Sequence, residues 1–96
     1  MKIAVDGVFY TKENIDFEKI LKEIVNILGE DVRVQSVEFP EIAAIFEDDY
    51  YYRAGFMLDK EVDEELPAHE LKDIKEKIKK LFPEGTVIYT LTCEIL

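Results

Sequence analysis

Glu41-Ile42-Ala43-Ala44-Ile45-Phe46-Glu47-Asp48-Asp49-Tyr50-Tyr51-Tyr52-Arg53-Ala54-Gly55-Phe56-Met57-Leu58-Asp59 decides how this chain folds. Two β-forming runs flank an acidic pair, which predicts a hairpin turning at Asp48-Asp49. A two-residue turn there sets Glu47 opposite Tyr50, Phe46 opposite Tyr51 and Ile45 opposite Tyr52. Ala43, Ile45, Tyr52, Ala54, Phe56 and Leu58 then share one face, and Ile42, Ala44, Phe46, Tyr51, Arg53 and Met57 share the other. Both faces are rich in apolar side chains, whereas a sheet covered by helices on one side alternates apolar with polar. A loop longer by a residue or two would shift the register and exchange these faces.

Working outward, Ile3, Val5, Gly7 and Phe9 alternate with Lys2, Ala4, Asp6 and Val8, the period of a first strand that ends near Tyr10. Phe17, Ile20, Leu21, Ile24 and Leu28 recur every three or four residues, which predicts an amphipathic helix from about Asp16 to Leu28 with Gly29 as its stop. Val32, Val34, Val37 and Phe39 form an extended stretch whose inward phase changes, so a bulge or bend is expected near Ser36. Pro67 opens a second helix carrying Leu71, Ile74, Ile78, Leu81 and Phe82, with acids before it and lysines towards its end, as the helix dipole favours. Pro83-Glu84-Gly85 closes that helix, and Val87, Tyr89, Leu91, Cys93 and Ile95 alternate as a final strand. The pattern predicts an α+β fold: a ferredoxin-like antiparallel sheet of four to five strands with two helices on one face, over residues 1–96 as a single domain. Whether residues 32–47 make one bent strand or two is open at this level.

Of the 96 residues, 22 are acidic and 12 basic, a net charge of −10 that repels a phosphate backbone and excludes direct nucleic-acid binding. The same charge suits a basic protein partner or a mimic of nucleic acid that inhibits one. No segment is apolar for long enough to span a bilayer and Lys2 to Asp6 makes no signal peptide, so no membrane association and a cytoplasmic location are expected. The lone Cys93 forms no internal disulfide and agrees with a reducing compartment. High charge with Gln35, Asn14 and Asn26 as the only amides fits a thermophilic source.

Chemistry-bearing motifs are sparse. His69 and Asp73, one helical turn apart, are weak candidates for a metal, short of the three protein ligands that zinc takes. The acidic runs at 47–49 and 59–65 lack EF-hand spacing, and Gly7, Gly29, Gly55 and Gly85 form no phosphate-binding loop. Cys93 has only Glu94 as a charged neighbour in sequence and is assigned to the core. Tyr50 to Phe56 has its basic and glycine positions out of order for an RNA-stacking strand. Leu66-Pro67-Ala68-His69-Glu70-Leu71, followed by Lys79-Lys80-Leu81-Phe82-Pro83 and Thr86-Val87-Ile88-Tyr89, resembles the last third of the cytoplasmic domain of cation diffusion facilitators. That family's metal-binding histidine and aspartate on the closing strand would fall near Thr90 and Thr92, which cannot replace them.

Without a nucleophile beside a base and without a cofactor fingerprint, an enzyme is the least supported class and no cofactor is expected. The surplus hairpin face, with Ile42, Phe46, Tyr51, Arg53 and Met57, has the aromatic, arginine and methionine content of protein interfaces. The sequence therefore points to a homo-oligomeric interaction or regulatory module assembling through residues 41–59. A small-molecule or metal-sensing domain and an acidic inhibitor of a basic protein are the alternatives.

Overall fold

The computed structural model describes residues 1–46 and 49–96, with the side chains of residues 44–49 outside the description. The chain runs β1 (Lys2–Thr11), α1 (Phe17–Leu28), β2 (Val32–Phe46), β3 (Asp49–Glu61), α2 (Ala68–Lys79) and β4 (Val87–Ile95). All pairings are antiparallel, in the order β2-β3-β1-β4. The α+β class and ferredoxin-like arrangement expected from the sequence are thus present, with four strands. Residues 32–46 make one strand.

Alternation in β1 fixes the covered side of the sheet: Ile3, Val5, Gly7, Phe9 and Thr11 are buried, and the residues between them are half-buried. Ala54, Phe56 and Leu58 of β3 and Cys93 of β4 lie on the same side. They pack with Phe17, Ile20, Ile24 and Leu28 of α1, Ile78 of α2 and Phe82 beyond it into one core. Gly7 makes room in this layer, because a Cβ there would stand 2.6 Å from a ring carbon of Phe9 and 3.0 Å from the Phe56 ring. The space lets Phe9 stack on Phe82 at 3.9 Å and lie beside Phe56 at 5.9 Å.

Both helices start where the sequence placed them. Asp16 caps α1 by accepting from the Lys19 amide at 3.3 Å. Gly29 then leaves the helix at φ 95°, a conformation that strains any residue with a Cβ. Lys60 of β3 reaches across to donate from Nζ to the Leu28 carbonyl oxygen at 2.8 Å, satisfying one of the last carbonyls of α1 and tying it to the sheet.

The hairpin register departs from expectation. Asp49 belongs to β3 and pairs with Phe46, so it is not a turn residue; Glu47 and Asp48 lie outside the described residues. Tyr50 faces Ala44, Tyr51 faces Ala43, Tyr52 faces Ile42 and Arg53 faces Glu41, each three positions from the expected partner. An irregularity between Ala44 and Phe46 accounts for the odd part of this shift, and an odd shift moves every side chain of one strand to the other face. Ile42 consequently sides with Tyr52 on the helix-bearing face, not with Tyr51, Arg53 and Met57.

Further irregularities fall between Val34 and Ser36, as the phase change near Ser36 predicted, and between Glu38 and Glu41, around Pro40. Because β2 is an edge strand, the missing amide hydrogen of Pro40 is tolerated. In β4 a shift opposite Val8 and Phe9 sets Ile88, not Tyr89, against Phe9. Tyr89 is therefore removed from the apolar row of Leu91, Cys93 and Ile95 and is 74% exposed. The β2–β3 hairpin runs past the last β1 pairing, Thr11 with Tyr52, as an arm on a molecule measuring 47 × 22 × 19 Å.

Candidate functional site

With both helices on one side, the opposite face of the sheet is uncovered. Across its two central strands stand Ala4, Asp6, Val8 and Tyr10 of β1 and Tyr51, Arg53, Met57 and Asp59 of β3, flanked by Ser36 and Glu38 of β2 and by Thr90, Thr92 and Glu94 of β4. Met57 is 49% exposed. Tyr10 meets Tyr89 edge to face at 6.2 Å, so the residue displaced from the core by the β4 irregularity joins this side. The face is mixed, with apolar and aromatic groups between charged clusters.

Each charged cluster follows from the register. Arg53 donates to Glu38, and the hydrogen bond raises its pKa, with burial opposing it and Tyr10 adding support. Arg33 grips Asp59 with two parallel bonds, Nε to Oδ1 at 3.0 Å and Nη2 to Oδ2 at 3.1 Å, while Gln35 donates to Oδ2 at 2.6 Å. The Arg33 bond is the main reason the Asp59 carboxyl lies below the usual carboxylate range. Asp6 shifts the opposite way. Burial chiefly raises it, with Glu94 and Asp59 adding repulsion.

Among the residues singled out from sequence, Tyr51, Arg53 and Met57 are brought together on the uncovered face. Ile42 is placed on the other side of the arm, 68% exposed, in line with Tyr50 and near Phe39. Phe39 meets Phe17 edge to face at 6.2 Å where the arm leaves the body. A groove there is lined by Glu38, Phe39, Glu41, Ile42, Ala43 and Arg53. The Phe46 side chain lies outside the described residues.

His69 and Asp73 are exposed on α2, and no group of three metal-ligating side chains is present among the described residues. Cys93 is buried, and burial pushes its thiol pKa up despite Lys75 nearby. No helix among the described residues is long and apolar enough to cross a membrane.

Sequence reasoning centred on the hairpin and missed the contribution of β1. Val8 and Tyr10 occupy the phase that Lys2 and Asp6 mark as polar. Two apolar residues in a polar phase, on a strand that becomes central, were the available signal.

No protein-family model matches the sequence. Over all 96 residues the chain is 65% identical to the uncharacterized protein MJ0639 of Methanocaldococcus jannaschii, covering 87% of that protein. This chain belongs to the same family. The CutA1 divalent cation tolerance protein of Thermus thermophilus superposes over 100% of this chain and 84% of its own, with a TM-score of 0.51 and 14% identity. That likeness supports the ferredoxin-like fold and nothing finer. The GlnK–ATP complex of B. subtilis follows at a TM-score of 0.40 and 17% identity, over 92% of this chain and 79% of its own.

Proposed function

We propose that members of this family are small regulatory or sensing modules that assemble with copies of themselves through the uncovered face of the sheet. The observation behind this is the row of Val8, Tyr10, Tyr51 and Met57 on the side that neither helix covers. A second copy laid on this face would remove that row from water, and the free energy scales with the apolar area covered. Arg53, already oriented by Glu38, adds a directional charged group beside the aromatic rings.

The test is molar mass in solution by light scattering after size exclusion, at two protein concentrations, for the native chain and a Tyr51→Ser, Met57→Ser double variant. An oligomer that becomes a folded monomer in the variant supports the proposal. A native chain that stays monomeric at both concentrations, or a variant that remains assembled, overturns it.

A further inference from the structure

We infer that Asp6, with Glu94 and Asp59 beside it, makes the self-association proposed above strengthen as the pH falls. The inference rests on that proposal and specifies how the same face is regulated. Asp6 stands on β1, a central strand, opposite Met57 of β3 and Thr92 of β4. One step along the same face is Ala4, flanked directly by Asp59 on one side and Glu94 on the other. Three carboxylates therefore surround Ala4, in the area a second copy would cover.

Only one of the three is neutralised. Arg33 and Gln35 hold Asp59, whereas among the described residues no cation pairs with Asp6 or Glu94. Lys2, two positions beyond Ala4 and paired across to Glu61, which also meets the N-terminal ammonium at 3.7 Å, and Arg53, beyond Gly55 and engaged with Glu38, are the other charged groups of the central strands on this side among the described residues. Neither helix contributes one, because both lie on the other face.

The direction follows from desolvation. Covering Asp6 with a partner's apolar surface disfavours its charged form, and a partner copy brings a second set of carboxylates to the same boundary. The assembled state then binds protons more readily than the free chain. Association accordingly takes up protons and strengthens as the pH drops towards the titration of Asp6. The carboxyl is already raised above its ordinary value before any partner arrives, with burial the larger cause.

Sedimentation velocity on the full chain at pH about 7.5 and about 5, at constant salt, tests this with two variants. Asp6→Asn removes the charge on the face, and Glu64→Gln removes one from the exposed segment before α2, so both change net charge equally. The native chain should bind itself on the order of tenfold more tightly at the lower pH, the scale of one repulsive charge pair at a partly desolvated site. Asp6→Asn should associate tightly at both pH values, while Glu64→Gln keeps the native response. Equal behaviour of the two variants would assign the effect to net charge and overturn the inference. So would an assembly of native mass with no pH response, which leaves the interface proposal standing. A native chain that is monomeric throughout would remove both.

Discussion

Replacing Met57 by Ala separates the uncovered face from the core with a magnitude the structure supplies. Full burial of a methionine side chain is worth about 1.5–3 kcal/mol. Met57 is 49% exposed in the isolated chain, so roughly half of that, about 0.7–1.5 kcal/mol per copy, remains to be gained on association. In a two-fold interface the residue counts twice, and about 1.5–3 kcal/mol corresponds to roughly ten- to a hundredfold weaker self-binding. Folding should suffer only through the half already buried, about 1 kcal/mol, or a fall of about 4–8 °C in melting temperature. Leu58→Ala, one residue along on the covered face and 1% exposed, should instead cost about 2–5 kcal/mol of stability. Sedimentation equilibrium and thermal melts of both variants provide the comparison. A Met57→Ala chain that is folded and self-associates within about twofold of the native chain would refute the reasoning.

Gly7→Ala should destabilise the fold by about 1–3 kcal/mol, seen in chemical denaturation, because the new methyl group meets the Phe9 and Phe56 rings at 2.6 and 3.0 Å. Lys60→Met keeps an apolar stem but loses the bond to the Leu28 carbonyl, and should cost about 1 kcal/mol with faster amide exchange in the last turn of α1. Cys93 should resist a thiol reagent near neutral pH and react fully once the chain is unfolded, since burial raises its pKa and blocks access. Rapid modification of the native chain would show that β4 opens readily.

The helices were legible because each carries a self-contained signal: Asp16 and Gly29 bracket a run with period near 3.6, and Pro67 opens another. The covered face of β1 was legible from strict alternation. The register of the hairpin was not, since it depends on a local irregularity between Ala44 and Phe46 that leaves little trace in a run as uniform as Glu41-Ile42-Ala43-Ala44-Ile45-Phe46. A single extra residue between pairing positions reverses a face without altering composition, which is why Ile42 was assigned to the wrong side while Tyr51, Arg53 and Met57 kept their grouping. The bulge at Ser36 was foreseeable because Val34 and Val37 differ by an odd number of residues, and both carry apolar side chains that mark the change. At Tyr89 the alternation of apolar residues continues through the irregularity, so the strand looks regular in sequence although its phase is broken.

The broken ladder of β2 bears on how an assembly of this chain would end. An unprotected edge strand can recruit further strands without limit and grow a fibre. Here the strand's ladder is interrupted three times, between Val34 and Ser36, between Glu38 and Glu41 and between Ala44 and Phe46, and Pro40 removes a donor at the second break. Head-to-tail growth along that edge is therefore discouraged, while the helix-free face of the sheet stays available for a contact that can close on itself. The irregularities that conceal the register in sequence would thus favour a finite particle over a filament.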